Sequence, residues 1–306
     1  MTDIAMQNNI DFENLAAFRD DPYLNDFREI IINRQKKLLH KISEIVKNEG
    51  SLISFAESGY KYFGINVHEN HISVREWLPA VHECYLIGDF NNWDRRSHPM
   101  SKNDFGVWEI ILQKNQQTNE HILIDGQKVK LHIKNACNAY VDRNLAYIKF
   151  TYQHEDSKVY DGVFNNPIDQ YEFRHPTPET PKNLKVYEAH VGMGSIFGEV
   201  ATYDNFRVNV LPRIKKSGYN CVQLMAIQEH AYYGSFGYHV TNFYAAASRS
   251  GSLNSLKELI DTAHSLGIIV LMDLVHSHSS SNAIDGIGDM DGTGHQYFHS
   301  GEKGNH

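Results

Sequence analysis

The spacing of apolar positions changes twice along this chain. In FREIIINRQKKLLHKISEIVKNEG, Ile31, Leu38, Ile42 and Ile45 recur at intervals of three, four and seven, which predicts an amphipathic helix with Gly50 as its stop. From about Tyr60 to Phe164 the texture becomes short alternating runs: KYFGINV, HISVREW, ECYLIGDF, GVWEIIL, KVKLHIK and LAYIKF. Turn residues such as HEN, NNWD, KNDFG and IDGQK divide them. Many short strands with turns every ~8–12 residues predict an all-β sandwich. NNPIDQYEFRHPTPETPKN then gathers four of the eight prolines in a polar stretch, a linker or surface crossing.

Beyond the linker, strands and helices alternate. LKVYEAHV, YNCVQLMAI and IIVLMDLV are continuous apolar strands. Between them lie YDNFRVNVLPRIKKSG, broken or restarted at Pro212 and ending at Gly218, and SLKELIDTAHSLG. Ser255 and Glu258 supply the second helix with a capping box, and Gly267 closes it. This order predicts a parallel sheet covered by helices, the beginning of either a doubly wound sheet or a (β/α)8 barrel. VGMGSIFG has the wrong glycine spacing for a phosphate-cradling loop. The expected segments are 1–59 helical, 60–165 sandwich, 166–183 linker and 184–306 parallel α/β.

Composition narrows the function classes. A net charge of −8 argues against a nucleic-acid or anionic-membrane partner, and no apolar run reaches the ~20 residues that span a bilayer. The acidic N-terminus has no apolar signal core, and Asn-x-Ser/Thr acceptors are absent, so a cytoplasmic protein is expected. Cys84, Cys137 and Cys221 form neither a disulfide framework nor a metal spacing, and each reads as a small buried hydrophobe. Tyr (17), Phe (15) and Trp (3) are plentiful enough for carbohydrate stacking, although core packing explains most of them.

In parallel α/β proteins, ligands meet the C-terminal ends of the strands. Those ends carry Glu188 and His190, then Gln228, Glu229 and His230, then Asp273, His276 and His278. The long connection QEHAYYGSFGYHVTNFYAAASRSGS adds six aromatic residues, flat rings among hydrogen-bonding groups as a pyranose requires. On the residues alone two readings of DLVHSH stay open, a metal site at His276 and His278, or a helix-capping Asp with surface histidines. No compact set of further ligands accompanies the histidines, which weighs against the metal reading.

Several of these stretches also carry a family resemblance. MDLVHSH resembles the first short sequence region of the α-amylase superfamily. VYEAHVG and YNCVQLMAIQEHAYYGSFGYHVTNFYAAASR resemble glycogen (1,4-α-glucan) branching enzymes, and EWLP and GDFNNWD are similar to the carbohydrate-binding module that precedes their barrel. The resemblance covers essentially the whole chain in the right order. It implies a β-sandwich carbohydrate-binding module followed by the first βαβαβ part of an incomplete (β/α)8 barrel. It implies an activity that cuts an α-1,4 glucan and transfers the segment to a 6-hydroxyl, with α-glucan as partner and no metal or organic cofactor. Tyr238 would stack on the sugar at the cleavage position, His278 would hydrogen-bond it, and Asp273 would orient its neighbours. Asn48, Glu49, Trp77, Leu78, Pro79 and Asp104 match or flank positions lining a glucan groove, and Trp93 and Trp108 belong to the module's signature. Leu78, Val107 and His239 depart from the family pattern, Val107 standing where a lysine is usual.

The same resemblance assigns the nucleophile and the acid/base to later strands, so both are expected C-terminal to His306, with no catalytic carboxylate in this chain. Asp285, Asp289 and Asp291 read as turn formers in a Gly-rich loop. The chain alone is therefore expected to be inactive. The alternative is a non-catalytic glucan-binding protein, or a truncated isoform or gene-model fragment. With only three barrel strands, Val222, Leu224, Ile269 and Leu271 are expected to face water, and the part from about Lys182 to be unstable beside a self-sufficient sandwich.

Overall fold

A computed structural model of the chain describes residues 11–304, in two compact units that divide between Tyr62 and Phe63. The first unit is helical, with α1 (Ala16–Asp20), α2 (Arg28–Glu49) and α3 (Leu52–Tyr62). α2 stops where the sequence predicts, the Gly50 N–H capping the Val46 carbonyl. Its inward stripe keeps the predicted Ile31, Ile42 and Ile45, all half-buried, but Ile32 is the buried residue, and Leu39 is half-buried where Leu38 is exposed. The runs Ile30–Ile32 and Leu38–Leu39 satisfy helical spacing in either register, so periodicity alone could not choose. Lys61 and Tyr62, read as the start of the first strand, belong to α3.

The second unit opens with nine strands: β1 (Gly64–Val67), β2 (His71–Trp77), β3 (Glu83–Gly88), β4 (Ser101–Lys102), β5 (Val107–Gln113), β6 (Lys128–Lys134), β7 (Tyr140–Arg143), β8 (Phe150–Gln153) and β9 (Tyr160–Val163). All pair antiparallel, in one sheet ordered β1-β2-β5-β4 and another ordered β3-β6-β9-β8, with β7 also on β6. Ile72 and Val74 of β2 meet Leu86, Trp108, Leu112, Leu131 and Ile133 in the core between them. Residues two apart on a strand share a face. Glu76 therefore follows Ile72 and Val74 inward, where the pattern calls for a third apolar residue, and Trp77 points the other way.

The parallel part adds β10 (Val186–Ala189), β11 (Cys221–Leu224), β12 (Gln228–Glu229), β13 (Asn242–Ala246) and β14 (Ile269–Met272). β10, β11 and β14 pair in parallel with β11 central, while β12 and β13, inside the stretch read as a loop, form an antiparallel pair. α4 (Tyr203–Asn205), α5 (Leu211–Lys216) and α6 (Leu253–Ser265) accompany the parallel sheet. A π-helical stretch, Phe206–Val210, runs without a break from α4 into α5, and Pro212, which has no N–H to donate, stands just beyond it. The cap of α6 is Ser252, which accepts from the Ser255 N–H, one turn before the predicted Ser255–Glu258 box.

Three expectations need correction. Val222 and Leu224 do not face water: they point to the helix-covered side and are fully buried with Leu211 and Leu259. Their register partners Tyr187 and Val270 share that side, and the opposite face carries Glu188, Gln223 and Leu271. Cys137 is exposed, unlike Cys84 and Cys221. Residues 280–297 are more than turn sequence: Met290 is buried in the sandwich core, with Ile287 and Tyr297 packed against it. Asp285 accepts from the Tyr160 N–H at 2.9 Å, and the Asp289 and Asp291 carbonyls accept from Arg143 and from the Ala136 N–H.

The linker, 166–183, has neither helix nor strand, yet it is held. Asp261 of α6, itself buried, accepts from the Tyr171 hydroxyl at 2.7 Å and from the His175 N–H at 2.9 Å. Among the described residues no helix is long and apolar enough to cross a membrane.

Candidate functional site

The strand end at Met272 delivers the first site. The Asp273 N–H continues the ladder to the Leu224 carbonyl, and the Val275 N–H donates to the side-chain oxygen of buried Gln228 at 2.8 Å. These bonds fix where Asp273 leaves the strand. The Tyr238 hydroxyl donates to the Asp273 carboxylate at 2.8 Å, and the His278 Nε2 donates to the Tyr238 carbonyl at 2.8 Å. The structure thus brings Tyr238, Asp273 and His278 together from a loop and a strand end 35 residues apart.

The bond to Asp273, then burial, then the charges of Asp273 and Glu188 push the Tyr238 hydroxyl up to about 12. It stays protonated near neutrality and remains a donor. Gly237 makes the approach possible: its φ is +92°, and a Cβ there would stand 1.8 Å from the Ala226 carbonyl oxygen. His239 lies edge-on to His278 with centroids 6.3 Å apart, while His276 is exposed. Among the described residues no three His, Cys, Asp or Glu side chains gather as they would around a metal.

The other strand-end residues divide. Glu188 is exposed beside this cluster, whereas Glu229 is fully buried and accepts from Thr151 at 2.6 Å and the Ser248 N–H at 2.8 Å, tying the parallel part to β8. His190 packs edge-on against Tyr233 and Phe236, and burial holds it and His230 below the usual histidine range, hence neutral.

A second cluster forms where β2 ends. The Trp77 indole N–H donates to the Phe105 carbonyl at 3.1 Å, joining the β2 end to the turn between β4 and β5. Gly106 sits in that turn at a φ of +79°, and a Cβ there would be 2.7 Å from the Pro79 Cα, so the turns carrying Pro79 and Asp104 pack closely. Pro79 and Asp104 are exposed, and Phe105, which the sequence reading missed, is 82% exposed. Leu78 is a correction: its side chain is fully buried in the sandwich core and leaves a sugar no surface. Its carbonyl instead accepts from the Trp108 indole at 3.0 Å, and Trp108 is core. Trp93 is partly exposed, its indole donating to Asp89 at 2.9 Å, and Val107 is the cross-strand neighbour of Trp77. Asn48 and Glu49, the exposed last residues of α2, lie in the first unit.

Three further residues around Trp77 escaped the sequence reading. Glu76, fully buried, accepts from the Trp77 N–H at 3.0 Å and the Ala146 N–H at 2.7 Å. Gln296 donates to the Trp77 carbonyl, and the Tyr297 ring meets the Trp77 ring edge-on, centroids 5.6 Å apart. Glu76 left one readable signal, a carboxylate inside an inward alternation. Gln296 and Tyr297 left none, because their partner is about 220 positions away.

Comparison with known proteins matches two stretches of the chain to family profiles. The profile for Carbohydrate-binding module 48 (isoamylase N-terminal domain) matches residues 62–144, and that for the α-amylase catalytic domain matches residues 208–302. A 1,4-alpha-glucan-branching enzyme of Dictyostelium discoideum is 47% identical over 96% of this chain and 43% of its own length. Branching enzymes of Arabidopsis thaliana, chloroplastic/amyloplastic, and Felis catus are 47% and 42% identical over 94% of the chain, and 35% and 41% of their own lengths. Among solved structures, a pullulanase of Paenibacillus barengoltzii superposes with a TM-score of 0.61 at 16% identity, over 79% of this chain and 42% of that one. A maltotetraose-bound pullulanase of Anoxybacillus gives 0.61 at 15% identity, over 79% and 38%. At such identities these neighbours speak for the fold, which is a sandwich module joined to the beginning of an amylase-type barrel. The chain is a homologue of the 1,4-α-glucan-branching enzymes over nearly its whole length, and it spans about two-fifths of theirs.

Proposed function

We propose that this chain supplies the α-glucan-binding wall of a 1,4-α-glucan-branching enzyme, in which an α-1,4 chain is cut and transferred to a 6-hydroxyl. The observation that carries this reading is the Tyr238–Asp273–His278 cluster at the end of β14, in a chain similar to branching enzymes. Asp273 accepts the Tyr238 hydroxyl proton and so sets the angle of the ring, leaving Tyr238 to stack on a pyranose. His278 donates from Nε2 to the Tyr238 carbonyl, and its Nδ1 accepts from the Ser277 hydroxyl at 3.0 Å, a partner that a sugar hydroxyl would replace. Asp273 works here as an orienting carboxylate, and the chemistry of transfer needs a separate carboxylate pair ~5 Å apart. The protein's place is the cytoplasm, beside a neutral, hydrated polysaccharide.

Titration with maltoheptaose tests this. Tyr238→Ala removes the stacking face and should weaken binding about tenfold, or ~1.4 kcal/mol. Tyr238→Phe keeps the face and should stay within about threefold of the parent. Equal affinity for all three proteins would refute the assignment. A second reading rests on a different observation, the half-buried Trp77 beside exposed Pro79 and Phe105 on the sandwich: a glucan-binding protein without transfer chemistry. Glycogen retention that is lost in Trp77→Ala and unchanged in Tyr238→Ala would leave that role alone.

A further inference from the structure

Trp77 is held at four points. Glu76 accepts its backbone N–H at 3.0 Å, and the Phe105 carbonyl accepts its indole N–H at 3.1 Å. These two anchors belong to β2 itself and to the neighbouring turn. The other two arrive from the far end of the chain: the Gln296 side-chain amide donates to the Trp77 carbonyl, and the Tyr297 ring packs edge-on to the indole at an interplanar angle of 66°. The Tyr297 hydroxyl also reaches the Glu76 carboxylate at 3.5 Å, the same oxygen that holds the Trp77 N–H.

We infer that Gln296 and Tyr297 are positioning residues for a sugar platform at Trp77, so that docking of residues 280–297 and glucan binding on the sandwich are coupled. This rests on the reading of Trp77 as a glucan contact.

The physical argument is preorganisation. A tryptophan binds a pyranose through one flat face, and the gain is small against the cost of fixing a free ring. An indole already immobilised avoids that cost. Residues 296–297 act through Trp77 and need not touch sugar. Their own location is set independently, by Met290 in the sandwich core and by the Asp289 and Asp291 carbonyls on Arg143 and Ala136. A segment with its own anchorage can transmit its state to Trp77. Coupling between two equilibria is reciprocal, so glucan on Trp77 must also tighten the segment.

The test uses the full chain, glycogen affinity gels and hydrogen exchange. Trp77→Ala should lose most retention. Gln296→Ala and Tyr297→Ala should each weaken it about three- to tenfold, the scale of one aromatic or hydrogen-bond anchor. Tyr297→Phe keeps the ring edge and should return retention to near the parent value. In the parent, maltoheptaose should slow amide exchange in residues 290–299, and in Trp77→Ala it should not. This arm needs no substitution in the segment, so a poorly folding variant does not decide the outcome. Parent-like retention by both alanine variants, or a Tyr297→Phe as weak as Tyr297→Ala, overturns the inference, as does exchange in 290–299 that ignores the sugar. Parent-like retention by Trp77→Ala overturns the platform reading and takes the inference with it.

Discussion

Glu76 shows how one residue can be costly and useful together. It occupies the inward position after Ile72 and Val74, fully buried. Burial raises its carboxyl from 4.5 to about 7, although the Ala146 and Trp77 N–H groups and the Tyr297 hydroxyl favour the ionised form. The sign follows. Below pH 4.5 the group is neutral in both folded and unfolded chains and adds no pH dependence. Between 4.5 and 7 the unfolded chain ionises while the folded one keeps its proton, so stability falls as pH rises. Above 7 the loss is complete, of the order of 3 kcal/mol. The unfolding midpoint of the parent should therefore drop between pH 5 and pH 8 by more than that of Glu76→Gln. Identical pH slopes in urea titrations would show that Glu76 ionises normally. Retaining a carboxyl at such a cost is intelligible if its task is to hold the backbone of Trp77.

At the scale of elements, the sequence was legible wherever one face of an element is buried and local spacing decides. Alternation located β2, β3, β5 and β6, and continuous apolar runs located β10, β11 and β14. Doubled apolar residues hid the register of α2, where Leu39 rather than Leu38 turns inward. The pair β12–β13 was unreadable because β12 has only two residues and the register shifts between Gln228 and Glu229. Tyr238, Asp273 and His278 could be named because a family resemblance marked them, but the hydrogen bonds joining them depend on tertiary geometry. Prolines made 166–183 look like a free linker, yet Asp261 clasps it at Tyr171 and His175. Burial acts to raise that carboxyl, and the hydrogen bonds from Tyr171, the His175 backbone and ring, and Arg174 overcome it, leaving it at about 2. A depressed carboxyl contributes stability that is present above its unfolded value near 4 and is lost as pH falls towards 2. Asp261→Asn should abolish that acid-side dependence. Proteolysis within 166–183 should then be as fast at pH 6 as at pH 3, whereas the parent should be cut faster at pH 3.

For the second unit as a whole, the question is whether the sandwich stands by itself. Sequence patterning gave it a private core and made the parallel part the weak partner. The structure adds contacts between the two parts. Met290, 1% exposed, is in the same core as Ile72, Leu86 and Leu131, more than 120 residues downstream of the last sandwich strand. Glu229 reaches back to Thr151, and Asp285 to the Tyr160 N–H. The parallel sheet still has open edges among the described residues, with Val186, Tyr187, Leu271 and Met272 about 40% exposed. Its central strand is nonetheless covered by helices, and Glu229 of β12 and Asp285 tie the parallel part to the sandwich. Met290→Ala separates the two accounts. Emptying a buried methionine site costs ~2–5 kcal/mol in whatever cooperative unit contains it. Trp77, Trp93 and Trp108 all lie in the sandwich, so tryptophan fluorescence reports on that module. If residues 280–297 are part of the module, Met290→Ala should shift the fluorescence-detected urea midpoint downward by an amount worth at least ~2 kcal/mol. A self-sufficient sandwich would unfold at the parent midpoint, and the contact between Met290 and its core would then carry no stability.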